Sequence, residues 1–286
     1  MSAIENSILS GLNPEIRAQL EAALSDLTVT VPVLVYREVH QPLSRTASKI
    51  SGMPGTDNLA WPNDKNGAPM VFWAQINLED LNLNGQSSTP KNGILMLFVS
   101  IEYTLAPPKS QSWYKVLYYR NDELVEYSEE NASIAQRIMS VAELVPDAVK
   151  QLRWNGDVDS LKAKIPALQS LSRSELDKVL SWLKETSSSA DETLNGAQQI
   201  CEFDSAQSRD VCIMAAFHAN GITFNETRKV DVHYKHLVDA AEEWQVLWKL
   251  GGLAHVMPDE KRQLFICIQR QNLIDLDFSK CSAVFL

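Results

Sequence analysis

Glycine is scarce in this chain, with 11 in 286 residues. Neither phosphate-cradling pattern, G-x-G-x-x-G or G-x-x-x-x-G-K, occurs. The nucleophile elbow G-x-S-x-G and the zinc-hydrolase motif H-E-x-x-H are absent too. Four cysteines are dispersed as Cys201, Cys212, Cys267 and Cys281, none in a C-x-x-C pair, which excludes a disulfide framework and points to small buried side chains in a reducing compartment. Basic residues number 26 against 36 acidic, a net charge of −10. Nucleic acid and anionic membranes recruit basic surface, so neither is an expected partner. No run reaches the ~18 apolar residues of a membrane span. The opening "MSAIENSILSGLNPEIRAQL" has no basic region followed by an apolar core, so no secretory signal is read and the cytoplasm is the expected location.

What is present is an ordinary globular composition, 45% hydrophobic and 22% charged. A chain of this size buries roughly three-quarters of its unfolded surface without staples. Asn13-Pro14 predicts a helix start, with Asn as cap and Pro where no amide is needed. "LTVTVPVLVYREV" predicts a strand, with Pro32 at an edge or bulge. The stretch "SGMPGTDNLAWPNDKNG" is turn-rich, and from Pro69 the period becomes two. Strict alternation puts Met70, Phe72, Ala74, Ile76 and Leu78 on one face. Val71, Trp73, Gln75 and Asn77 fall on the other. Asn77 is expected to end the strand by capping a helical turn, with Asp80 reaching back to the Asn77 amide as in a capping box. Gln75 is expected to tie down the polar loop before the strand.

"NGILMLFVS" and "WYKVLYY" predict further strands. "ASIAQRIMSVAELVPDAVKQL" and "SRSELDKVLSWLKE" read as helices, the second with a Ser172–Glu175 capping box. Residues 200–232 give no clear pattern; His233–Glu243 reads as helix and "WQVLWKL" as strand. A strand at 263–269 precedes Asn272-Leu273-Ile274-Asp275-Leu276, which matches Asn77-Leu78-Glu79-Asp80-Leu81 at four of five positions. Asn272 and Asp275 are therefore expected to repeat the cap of Asn77 and Asp80. The reading is an α+β fold whose β-rich core has two related halves with a helical insert between them. The divisions are 1–130, a β-rich half with a leading helix; 131–195, the insert; and 196–286, an α+β half, all in one compact unit.

These runs resemble the YwqG-like family, also called domain of unknown function 1963. Its "SKxGGxP…WP…G.P…AQINL.DL" pattern is matched by Ser48-Lys49-Ile50-Ser51-Gly52, Pro54, Trp61-Pro62, Gly67, Pro69 and Ala74-Gln75-Ile76-Asn77-Leu78. "GILMLFVS", "WYKVLYY" and "QLFICIQRQNLIDLDFSKC" match its later strands. The "GYP…Q" and "mmWGDaG" pieces of the family have no clear counterpart here. The resemblance implies an α+β fold and no established catalysis. It implies a likeness to proteins encoded beside secreted bacterial toxins, which resemble immunity proteins.

Asp231, His233, His236 and Asp239 sit near one another, but H-x-x-H lacks zinc-hydrolase spacing and reads as a surface helix, so no metal or other cofactor is expected. "NDELVEYSEE" gathers Asp122, Glu123, Glu126, Glu129 and Glu130 without a basic residue. It reads either as a solvated loop or as an acidic patch for a basic protein. Trp61 and Trp154 are candidate interface anchors, beside the alternative that both are core. No catalytic residue is named. The expected function is a non-catalytic binding protein, an immunity protein for a cytoplasm-acting toxin. The alternatives are an enzyme or small-ligand binder with a pocket between the halves near Gln75 and Asn77, and a housekeeping interaction module.

Overall fold

The computed structural model describes residues 13–39, 43–55, 61–81, 90–100, 113–120, 142–152, 158–181, 183, 198–200, 206–250 and 263–285. They form a mixed α+β structure. The strands are β1 (Thr28–Glu38), β2 (Lys49–Ile50), β3 (Val71–Asn77), β4 (Ile94–Val99), β5 (Tyr114–Tyr119), β6 (Ala142–Leu152), β7 (Gln198–Ile200), β8 (Trp244–Leu250), β9 (Leu264–Gln269) and β10 (Ser282–Phe285). The helices are α1 (Pro14–Leu27), α2 (Val158–Lys164), α3 (173–181), α4 (Ala206–Ala219), α5 (Glu226–Val230), α6 (Lys235–Ala240) and α7 (Arg270–Ile274).

The chain divides into two compact units. The first comprises residues 1–31, 148–195 and 204–207; the second comprises 32–147, 196–203 and 208–286. The leading helix thus groups with the helical insert and not with the N-terminal β-rich half. The division falls inside β1, between Val31 and Pro32, and inside β6, between Asp147 and Ala148. Its apolar centre is Leu20 of α1 with Leu161, Ile165, Leu168, Val179 and Leu183. The two helix starts follow the sequence. Asn13 Oδ1 accepts from the Glu15 amide at 2.9 Å. Ser172 and Glu175 form the reciprocal capping box, with Ser172 N donating to Glu175 Oε2 at 2.9 Å and Glu175 N to Ser172 Oγ at 3.3 Å.

The second unit is built on the sheet, in the order β10-β9-β8-β7-β1-β6-β2-β3-β4-β5. Residues 142–152 form a strand where the sequence reading gave a helix. Pro146 has no amide and would break an α-helix at a cost of about 3 kcal/mol, so the apolar spacing of this segment belongs to sheet. Nor is β1 an edge: it lies between β7 and β6, so Pro32 sits in an interior strand.

Two antiparallel meanders flank the β1-β6 centre, β2-β3-β4-β5 on one side and β7-β8-β9-β10 on the other. Each carries one register shift, in the pairing of its second and third strands. The shift lies between Phe72 and Ala74 in β3, and between Val246 and Trp248 in β8. This pairs β3 with β8 and β4 with β9 as the related elements. The likeness of Asn77 and Asn272 does not mark equivalent positions, because Asn77 closes β3 whereas Asn272 follows β9.

One face of both meanders contributes to a single apolar cluster: Trp73, Ala74, Ile76, Leu95, Leu97 and Val116 from the first, and Leu247, Trp248, Leu250, Ile266 and Ala283 from the second. This is the inner face. The outer face of the first meander carries Met70, Phe72, Met96 and Phe98. That of the second is covered by α4 and α6, through Phe217 and Leu237 against Val246, Phe265 and Val284. The two sheet ends meet through side chains. Tyr114 Oη of β5 donates to the Cys281 carbonyl at 2.7 Å and accepts from the Ala283 amide at 2.9 Å. Trp113 stacks on Phe285 with ring centroids 5.0 Å apart. Burial pushes the Tyr114 hydroxyl far above its ordinary pKa, so it stays neutral and can serve both partners. Replacing Tyr114 with Phe orphans a buried carbonyl and a buried amide. The expected loss is about 3 kcal/mol in urea unfolding, at an unchanged m-value.

Candidate functional site

The strict alternation read from β3 fails at Trp73. The extra residue moves Phe72 to the outer face, while Trp73, Ala74, Ile76 and Leu78 share the inner one. Gln75, opposite Met96, is thereby returned to the outer face. There its fully buried carboxamide makes three bonds: Oε1 accepts from the Gly55 amide at 2.7 Å, and Nε2 donates to the Arg45 carbonyl at 2.6 Å and the Ala47 carbonyl at 2.8 Å. Gln75 clamps both arms of segment 44–55, as expected of it. The clamp needs glycine at position 55, because a Cβ there would stand 2.5 Å from the Arg45 oxygen.

Asn77 caps as expected: its Oδ1 accepts from the Glu79 amide at 3.2 Å. Asp80 does not reach the Asn77 amide. Ser48 stands between them, accepting from Asn77 N at 2.8 Å and donating to Asp80 Oδ2 at 2.7 Å. The box is closed through a hydroxyl from another strand segment, which spacing along β3 cannot reveal. The predicted second cap is corrected outright. Helix α7 starts three residues early, after Gln269, so Asn272 lies inside it with Nδ2 3.2 Å from Gln269 Oε1. Asp275 is the C-terminal cap, accepting from Gln271 Nε2 at 3.0 Å. The Asn272 carbonyl instead accepts from Asp277 N at 2.8 Å, closing the helix end around Leu276 at φ 56°.

The interface candidates fare differently. Trp61 is half-buried, donates from Nε1 to the Met70 carbonyl at 2.8 Å and meets Phe98 edge to face at 5.3 Å, which makes it part of the scaffold. Asp122, Glu123, Glu126, Glu129, Glu130 and Trp154 lie outside the described residues. His233 and His236 are exposed on the α5–α6 segment, and among the described residues no group of side chains is placed to hold a metal ion.

The arrangement that sequence reasoning missed is a polar band on the outer face. On β2, Lys49 lies opposite Gln75 of β3 and Glu143 of β6. Glu143 is held by Arg37 of β1, through Nε at 2.8 Å and through Nη2. The second meander repeats the pair with the residues exchanged: Gln199 of β7 lies opposite Lys249 of β8. Both pairs fall just past the register shift, and both lysines are buried, 6% and 4% exposed. Lys249 holds its Nζ 5.6 Å from the centre of the Phe265 ring. Burial, helped by the charge of Arg45, brings the Lys49 amine down from 10.5 to about 8. No single residue signals this band, since each pair joins segments distant in sequence.

A second feature is a cleft of about 400 Å³ between the two meanders. Its walls are Asn63–Lys65, Tyr114–Leu117 of β5, and Phe278, Ser279 and Cys281. Asp64 is fixed at its rim by the Asn66 and Ala68 amides and by Ser100 Oγ, and these bonds lower its pKa although desolvation opposes them.

A family model described as Domain of unknown function (DUF1963) matches residues 48–285. The chain belongs to this family. No curated protein matches it. The DUF1963 match opens at Ser48, the first residue of the Ser48–Gln75–Asn77 hydrogen-bond cluster. Ser51 takes the left-handed φ of 60° that favours glycine, and Gly52 follows it at φ 79°. Among the described residues no helix is long and apolar enough to cross a membrane.

Two outcomes follow. Gln75→Leu leaves two carbonyls and one amide without partners, so unfolding free energy should fall by about 3 kcal/mol and protease should cut within 44–55. Unchanged stability would show that the clamp is dispensable. For Lys49, the folded pKa lies below the unfolded one. The unfolded chain therefore holds more protons between about pH 8 and pH 10.5, and stability rises with pH across that window. The rise should exceed that of Lys49→Met by about 3 kcal/mol in parallel urea titrations.

Proposed function

We propose that this DUF1963 member is a non-catalytic binding protein, and more narrowly an immunity protein that blocks a secreted toxin in the cytoplasm by covering its active surface. The observation that carries the reading is the exposure of two large apolar side chains on either side of one helix junction. Val230 is 82% exposed and Val232 76%, on either side of Asp231. Asp231 holds that junction by accepting from the His233 amide at 2.9 Å. Fixed, exposed apolar residues with a polar rim are what a protein interface uses as anchors. The net charge of −10 suits a basic partner, such as an enzyme that acts on nucleic acid. The polar residues of the family run support the same reading, since Ser48, Gln75 and Asn77 are spent on holding the fold and leave recognition to the surface.

The cleft beside β5 favours a second reading, a small-ligand binder or enzyme. It lies between the meanders, as a pocket between two halves would, but away from Gln75 and Asn77.

The test is association with the purified product of the adjacent gene. Wild type is expected to bind at or below micromolar concentration and to suppress the toxicity of that product. The double change Val230→Ser, Val232→Ser should weaken binding at least tenfold, with the unfolding midpoint little changed because surface substitutions cost about 0.5 kcal/mol or less. A soluble gene product that shows no binding to wild type refutes the immunity reading.

A further inference from the structure

Strand β5 ends the sheet, so one side of it has no neighbouring strand. Its pairing with β4 fixes which peptide groups face that side. Ser100 N donates to the Trp113 carbonyl at 2.7 Å, which makes these two residues a hydrogen-bonded pair. Opposed residues of an antiparallel ladder alternate between bonded and non-bonded pairs. Along this register Phe98–Lys115 is bonded and Leu97–Val116 is not. The N–H and C=O of Val116 therefore point away from β4. Among the described residues nothing bonds to either group. Val116 is nevertheless buried, 4% exposed, and a buried peptide group without a partner is costly. Beyond that edge stand Phe278, Ser279 and Cys281, and Val116 lines the cleft of about 400 Å³ between.

Positive charge gathers at the same place. Lys65 and Lys115 line the cleft, and both are exposed. Among the described residues neither forms an ion pair. Asp64, the carboxylate on the wall, has both oxygens engaged, by the Asn66 and Ala68 amides and by Ser100 Oγ. Leu117 and Phe278 add apolar surface beside the free peptide groups.

We infer that this cleft binds a small α-amido carboxylate, the chemistry of an acylated amino acid. One residue of such a molecule brings to Val116 what an added strand would bring. Its amide N–H donates to the Val116 carbonyl, and a carboxylate oxygen accepts from the Val116 amide, as in a bonded pair of an antiparallel ladder. The same carboxylate accepts charge-assisted bonds from Lys115, the next residue along the strand, and from Lys65. The acyl group lies against Leu117 and Phe278. A volume of about 400 Å³ is near the lower end for ligand sites and suits a molecule of this size. The inference rests on the small-ligand reading of the cleft and gives that reading a ligand class. It is independent of the toxin reading, whose exposed valines flank Asp231.

The probe is hippurate, N-benzoylglycine, titrated against the full chain at neutral pH and low salt by ligand-observed NMR. A dissociation constant of about 1 mM or below is expected for a molecule of its size. O-Benzoylglycolate keeps the ring and the carboxylate but has an ester oxygen in place of the amide N–H, and should bind about tenfold more weakly. Hippuramide keeps the amide and lacks the anion, and should also lose about tenfold. The double change Lys65→Ala, Lys115→Ala alters two exposed side chains, so the unfolding midpoint should hold. It should bring hippurate down to the affinity of hippuramide. No binding of hippurate to wild type at about 10 mM overturns the inference, as does undiminished binding to the double variant. Equal affinity of wild type for hippurate and hippuramide overturns the ligand class but leaves the cleft a small-ligand site, so the inference and the reading beneath it fail separately. Binding of the adjacent gene product is untouched by any of these results.

Discussion

One extra residue in β3 sets the rest of the second unit. Without the register shift at Trp73, strict alternation would send Gln75 to the same face as Trp73, among the leucines of the inner cluster, and turn Ala74 and Ile76 outward. With it, the strand keeps a fully apolar inner face and still delivers a carboxamide to the outer one. That carboxamide fixes segment 44–55, and that segment carries Ser48 and Lys49 into β2. Ser48 then completes the cap that begins the turn at Leu78–Leu81. Loop, short strand, long strand and turn are therefore one hydrogen-bonded assembly, held by the side chains of Gln75, Ser48 and Asn77.

The second meander uses the same construction with different residues. The shift at Leu247 rephases β8, and a Lys–Gln pair again lies across the first two strands. The resemblance is topological and chemical more than it is one of sequence. Family membership accordingly speaks for this scaffold. Ser48, Gln75 and Asn77 are occupied in building it, and the features free to act lie elsewhere: a cleft between the meanders and a helix junction with two exposed valines.

Much of this was legible in the residues. Asn13, Ser172 with Glu175, and Asn77 each act within three residues of their partner, so local chemistry reveals them. The clamp by Gln75 was legible in kind, because a polar residue on a buried strand needs partners. The failures share a cause. Apolar spacing alone reads 142–152 as helix, and Pro146 is the residue that argues against it. The alternation in β3 was drawn past Trp73 because a single inserted residue leaves no mark in composition. Asn272 was matched to Asn77 by identity, whereas strand length placed the helix start three residues earlier. Ser48 bridging Asn77 to Asp80, and the register that sets a lysine opposite a glutamine in both meanders, depend on strand neighbours that only the folded sheet supplies.

The hydroxyl of Tyr114 has a consequence beyond fastening two strands. A sheet of this length ends in two rows of peptide groups that could template pairing with other chains. Here a phenol from one terminal strand occupies an amide and a carbonyl of the segment at the other terminus, and Trp113 lies flat against Phe285 beside them. Each end of the ribbon shields part of the other. The contact that joins the two sheet ends thus also takes up edge groups that could otherwise pair with another chain.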